Sequence, residues 1–276
     1  MSHGDEVLRD RLDAASRKIG TPCAGGEMVW RVWGEGPPLL LLHGGYGSWT
    51  HWLRNIETLA RTRRVIAADM PGLGDSASVP EPYTPESLAE IIIAGLDAVL
   101  GAEKATLVGF SFGGMLGGHV AARSGGRIRA LVVVGPNGMG PPYARQTGLV
   151  RVRPEMSEAE IAATQRANLA TLMFAAPARI DDFAVRLQAE NALRARIRSR
   201  PFAATETLLG VLPDVPGRVD AIWGEHDVTA VPHLAERIAK LRRVRSEARV
   251  EVIPGAGHWV QYEAAEQFDR ALGNLL

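Results

Sequence analysis

The stretch Thr106–Met115, TLVGFSFGGM, sets one serine between glycines two residues away on each side, directly after an apolar, β-branched run. It fits G-x-S-x-G, a sharp strand-to-helix turn that lifts a serine hydroxyl clear of the backbone. Such a turn crowds the chain, and a Cβ at Gly109 or Gly113 would clash. The helix that follows would aim unpaired N–H groups at negative charge developing near Ser111. The pattern is short, and on its own Ser111 is as readily a turn residue as a nucleophile. Its surroundings have to decide.

Working outward, six runs of four to seven near-continuous hydrophobics end in glycine, proline or a polar residue: PPLLLLHGG (37–45), RRVIAADMPG (63–72), KATLVGFS (104–111), IRALVVVGP (128–136), RVDAIWGEHD (218–227) and ARVEVIPGAGH (248–258). Strands of a parallel sheet buried on both faces have this look. Helix-compatible segments separate most of them, such as 84–102, where Thr84 can cap and Pro85 can take the first helical position. EMVWRVWGEG (27–36) suits a leading antiparallel hairpin or edge strand. This alternation predicts an α/β fold with a mostly parallel sheet and helices on both faces. From Pro136 to about Pro216 no strand-like run occurs, so a helical insertion is expected there, over the carboxyl ends of the strands.

Bulk properties narrow the function. The chain has 276 residues, enough for one large α/β domain or a core with an insertion. Lys+Arg and Asp+Glu number 31 each, which removes the basic footprint expected of a nucleic-acid or anionic-membrane partner. Cys23 is the single cysteine, so neither a disulfide framework nor a thiolate metal cluster is expected, and a reducing compartment is favoured. The charged N-terminus lacks the apolar core of a signal peptide, and no apolar run reaches bilayer-spanning length. A cytoplasmic protein is the expectation.

Ligands of open parallel sheets gather beyond the carboxyl ends of the strands. Ser111, Asp227 and His258 all lie at such ends, in the chain order Ser, Asp, His of α/β-hydrolases. A serine hydroxyl needs an imidazole to take its proton, and the imidazole needs a carboxylate to fix its tautomer. Taken singly, Asp227 could cap a helix and His258 could be a satisfied loop histidine. The backbone N–H groups of Gly45 and Phe112 are the expected oxyanion hole, with His43 fixing the glycine loop rather than reacting. Asp69 and Asp75 are read as turn-shaping. Arg194, Arg196, Arg198 and Arg200 are read as a solvated helix face. The histidines show no H-E-x-x-H spacing and no phosphate-loop motif is present, so neither metal nor cofactor is expected.

The ordered elements HGG, DMPGLGDS, GFSFGG, GEHD and GAGHW resemble the α/β-hydrolase superfamily from about residue 27 onward. Within it the chain is most similar to the meta-cleavage-product hydrolases, which cut a C–C bond, through residues 43–56, 131–142 and 257–272. The resemblance implies eight strands with a helical lid after the sixth. It therefore implies an N-terminal extension over 1–26, a core over 27–136 and 217–276, and a lid over 137–216. It also implies substrate contacts from Gly44, Phe110, Phe174, Gln188 and Trp259, and a homodimer would be in keeping with it.

Two departures bear on the substrate. Phe110 stands where that subgroup has a small polar residue. Gln188-Ala-Glu-Asn191 stands near its lid arginine, with Arg186 and Arg194 out of register. The expected function is a Ser-His-Asp hydrolase of a small, largely apolar acyl or ketone compound. A broad carboxylic ester hydrolase and a non-catalytic ligand-binding protein are the alternatives. If the lid register holds, Gln188→Arg should improve activity on carboxylate-bearing dienones.

Overall fold

The computed structural model describes residues 2–142 and 147–276, with side chains from residue 4. Residues 143–146, within the expected lid, lie outside the described residues. An N-terminal helix α1 (Ser2–Ala15) leads into strands β1 (Arg17–Cys23) and β2 (Gly26–Trp33). The six apolar runs become β3 (Pro38–Leu42), β4 (Arg64–Ala68), β5 (Ala105–Phe110), β6 (Ile128–Val134), β7 (Arg218–Gly224) and β8 (Val250–Ile253). The sheet order is β1-β2-β4-β3-β5-β6-β7-β8, parallel except where β2 meets β1 and β4.

The hairpin starts earlier than expected. A boundary at residue 27 would cut it, because RKIGTPC pairs along its whole length with β2. Gly20 and Pro22 interrupt any apolar run there, and an outermost strand tolerates both because one of its edges has no neighbour to satisfy. The turn between the strands bends through Ala24 and Gly25, both at positive φ.

The other helices are α2 (Leu53–Leu59), α3 (Pro85–Ala94), α4 (Leu96–Leu100), α5 (Phe112–Arg123), α6 (Glu158–Leu172), α7 (Asp182–Leu193), α8 (Thr207–Val211), α9 (Leu234–Val244), α10 (Val260–Glu263) and α11 (Ala265–Leu275). Thr84 caps α3 in a capping box with Pro85 next, and Gly95 divides the expected single helix into α3 and α4. β3 shows why the sheet must be covered on both faces. Leu40 and Leu42 join one buried cluster, Leu39 and Leu41 the other, and all four are fully buried. Each such burial contributes roughly 1.5–3 kcal/mol. The inserted segment between β6 and β7 contains α6, α7 and α8 and no strand among its described residues. Among the described residues no helix is long and apolar enough to cross a membrane.

Candidate active site

β5 ends at Phe110, and the chain reverses into α5 through Ser111 at φ 52°, ψ −113°. Two glycines make that reversal possible. A Cβ on Gly109 would stand 2.3 Å from the Gly113 carbonyl oxygen, and one on Gly113 would stand 2.3 Å from the His43 carbonyl oxygen. Ser111 makes no side-chain capping bond to α5, so its hydroxyl is available for other partners.

That hydroxyl lies 3.0 Å from Nε2 of His258, whose Nδ1 lies 2.9 Å from Asp227 Oδ2. Asp227 follows β7 and is fully buried; His258 follows β8 and is nearly so. The contact with Asp227 places the ring proton on Nδ1, leaving Nε2 to accept from Ser111. Burial by itself would raise the Asp227 carboxyl. His258, through charge and hydrogen bond, and Thr229, through hydroxyl and amide N–H, outweigh it and hold the group below the usual carboxylate range. Thr229 donates to Asp227 Oδ1 from Oγ1 at 2.7 Å and from its amide at 2.9 Å. It went unrecognised in the sequence, although Asp-Val-Thr is a spacing that lets a carboxylate fold back on the chain.

The expected oxyanion donors belong to α5 and to the loop after β3, where a Cβ added to Gly45 would stand 3.8 Å from that of Phe112. Phe112 is the first residue of α5, so no carbonyl within the helix takes its N–H. Gly45 lies on the loop after β3. His43 donates from Nδ1 to the Gly44 carbonyl at 2.7 Å, while its Nε2 accepts the Met70 N–H at 3.0 Å. The histidine thus fixes the loop, as expected. Because a trans peptide sets C=O and N–H on opposite sides, holding the Gly44 carbonyl also sets the direction of the Gly45 N–H. Burial, with the neighbouring His51, drives His43 down to about 3, so it stays neutral. Asp69 closes the same corner, accepting from the Trp49 and Asp75 amides at 2.8 and 3.0 Å and pairing with Arg31.

A cavity of about 830 Å³ opens onto Ser111 and His258 and is lined also by Gly44, Gly45, Phe110 and Met173. Phe174, Gln188 and Trp259, expected as substrate contacts, lie off this cavity. Gly44 borders the cavity, but its carbonyl is held by His43 and its N–H by His51. Phe174 and Trp259 are absent from its lining. They pack with Tyr262, Trp259 stacking on it at 4.2 Å, because the inserted segment must bury aromatic surface against the core. Gln188 borders a smaller adjoining cavity and is engaged by His51 and Tyr46. Phe110 does face the site, its ring 4.9 Å from that of His258.

The arginine run is also corrected. α7 ends at Leu193, so residues 194–200 form no helix face beyond it. Arg194 pairs with Asp75, and Arg196 donates to the carbonyls of Gly74 and Ser76. Arg198 and Arg200, with Arg151, line the cavity instead. Arg186 pairs with Glu6 of α1, so neither it nor Arg194 takes the place of the lid arginine. Among the described residues no three His, Cys, Asp or Glu side chains cluster as a metal-binding set.

Comparison with known proteins agrees with this architecture. A family model for the alpha/beta hydrolase fold matches residues 37–265. The chain is 32% identical to a 2-hydroxymuconate semialdehyde hydrolase of Pseudomonas sp. (strain CF600), over 88% of each protein. It is also 32% identical, over 90% of its length but only 66% of the relative's, to the dihydrolipoyllysine-residue acetyltransferase component of the acetoin cleaving system of Pseudomonas putida. The crystal structure of a meta-cleavage product hydrolase from Pseudomonas fluorescens IP01 superposes with a TM-score of 0.74 at 27% identity, covering 93% of this chain and 95% of that one.

Proposed function

Since this chain belongs to the alpha/beta hydrolase fold family, we propose that it is a serine hydrolase of small acyl or ketone compounds, cleaving a C–C bond next to a carbonyl as its meta-cleavage relatives do. One observation carries this reading: the line from Asp227 through His258 to Ser111, with contacts of 2.9 and 3.0 Å, that ends at the cavity. Ser111 Oγ attacks the substrate carbonyl while His258 Nε2 takes its proton. The resulting imidazolium is stabilised by Asp227, and the Gly45 and Phe112 N–H groups receive the oxyanion. His258 then returns the proton to the leaving carbon or oxygen. Water, activated by the same imidazole, releases the acyl group from Ser111. The inserted helices serve as a lid over the site, and no cofactor is needed.

A carboxylic ester hydrolase is the second reading, favoured by Phe110. Its ring gives the cavity an apolar wall beside His258, where C–C cleavage gains from a polar group that steadies the leaving carbanion. Turnover of p-nitrophenyl esters and of a ring-fission dienone, each against Ser111→Ala, tests both readings. Ser111-dependent loss of the dienone supports the first, and ester turnover alone supports the second. Hydrolysis of neither, with no labelling of Ser111 by a fluorophosphonate, identifies a binding protein.

Arg151, Arg198 and Arg200 add a specificity expectation. All three are exposed at the cavity and none makes an ion pair among the described residues. Arg200→Ala should raise KM for a monoester of a dicarboxylic acid about threefold, the scale of an exposed charge contact. KM for a neutral ester of equal length should hardly move. Parallel changes for both esters would show that Arg200 contributes packing rather than charge.

A further inference from the structure

We propose that His51 and Gln188 form a positioning relay through which the inserted helix α7 holds the 43–47 loop, and with it the Gly45 N–H, in its catalytic orientation. The inference rests on the reading of Gly45 as an oxyanion donor. Neither residue borders the cavity that holds Ser111. Both act through the backbone of the loop.

The hydrogen bonds permit one arrangement of protons. The Gly44 N–H donates to His51 Nδ1 at 3.2 Å, so that nitrogen carries no hydrogen. The ring proton is therefore on Nε2, which donates to Gln188 Oε1 at 3.1 Å. With its oxygen so engaged, the Gln188 amide turns its nitrogen outward, and Nε2 donates to the Tyr46 carbonyl at 2.9 Å. Tyr46 is held at φ 53°, a strained backbone for a residue with a side chain. One primary amide thus ties both ends of the loop: Gly44 through the imidazole, Tyr46 directly. Together with His43 on the Gly44 carbonyl, this leaves the peptide preceding Gly45 no freedom to rotate.

His51 is suited to the task. It is fully buried among the rings of His43, Phe110 and Trp259. Burial, opposed by the Gln188 hydrogen bond and helped by the charge of His258, lowers it to about 4. The ring stays neutral near pH 7, and Nδ1 stays an acceptor. A substitution with donors only, such as Gln188→Arg, faces the Nε2–H with another N–H. The improvement on dienones that the family register suggests for that variant is therefore replaced by an expected loss of turnover.

A pair of variants at residue 51 isolates the relay. Asparagine sets its amide oxygen where Nδ1 stands and can still accept from Gly44; glutamine reaches the Nε2 site and leaves the Gly44 N–H without an acceptor. His51→Gln should lower kcat about tenfold with KM within about twofold, a fraction of the loss caused by deleting an oxyanion donor. His51→Asn keeps the Gly44 acceptor and leaves the Gln188–Tyr46 bond in place but loses the reach to Gln188. It should therefore lose less than His51→Gln, about threefold, although it is the larger loss of bulk. Hydrogen exchange at the Gly44 amide supplies a readout independent of turnover: slow in wild type and His51→Asn, faster in His51→Gln. Should His51→Gln not fold, Gln188→Met carries the same expectation for kcat, since it keeps length and removes the amide. Wild-type kcat in His51→Gln or Gln188→Met, or a greater loss in His51→Asn than in His51→Gln, overturns the relay. Absence of any Ser111-dependent turnover overturns the catalytic reading as well. The exchange pattern then shows separately whether His51 holds the loop.

Discussion

Ser111→Ala is expected to lower kcat for any substrate of this protein by at least about 10³-fold while leaving the fold intact. The size follows from chemistry: without Oγ no covalent intermediate forms, and His258 is left with no hydroxyl to deprotonate. Stability should hardly change. The serine hydroxyl makes no capping bond to α5, and alanine suffers the positive φ no more than serine does. Steady-state kinetics with a p-nitrophenyl ester and a thermal melt check the two halves together. More than a tenth of wild-type kcat in a variant with unchanged melting temperature would remove Ser111 from the mechanism.

The second large effect concerns the turn itself. Gly113→Ala should destabilise the protein by about 3 kcal/mol or more, the upper range for overpacking. The added Cβ would lie 2.3 Å from the His43 carbonyl oxygen and 2.5 Å from that of Leu42. Both are backbone atoms of the β3 end, so no side chain can turn aside to make room. A fall in melting temperature of roughly 6–12 °C is expected for a chain of this size. Any shift of β3 also displaces Gly45, so kcat should fall in the folded fraction. Gly210→Ala is the control: it sits exposed in α8 with open space around it, and helix propensity predicts a gain of a few tenths to about 1 kcal/mol. Equal melting temperatures for Gly113→Ala and wild type would mean that the elbow is not packed as described.

What could be read early had local causes. A strand buried on both faces must be continuously apolar, so the six core strands stood out, as did the strandless span before β7. The outermost strand β1 did not, because an edge need not be hydrophobic and Gly20 and Pro22 hide it. Ser111, Asp227 and His258 were legible because each ends a strand, and a parallel sheet brings such ends to one edge. The arginines 194–200 carried a usable signal that the helical reading overlooked. A spacing of two residues spreads side chains around a helix and aligns them only in extended chain.

His51 and the packing of Phe174 and Trp259 had no comparable signature. Each role depends on an atom contributed from far along the chain: Gln188 to His51 across 137 positions, and Trp259 Nε1 to the His51 carbonyl across 208. Sequence by itself determined the six core strands, the sharp turn at Ser111 and the placing of Ser111, Asp227 and His258 at strand ends, since periodicity and backbone sterics act over a few neighbours. Tertiary structure alone decided which side chains line the cavity, which arginines remain without a carboxylate among the described residues, and that His51 joins His43 in holding the glycine loop. Those outcomes are set by how the inserted helices pack onto the sheet, through contacts between segments that sequence proximity does not connect.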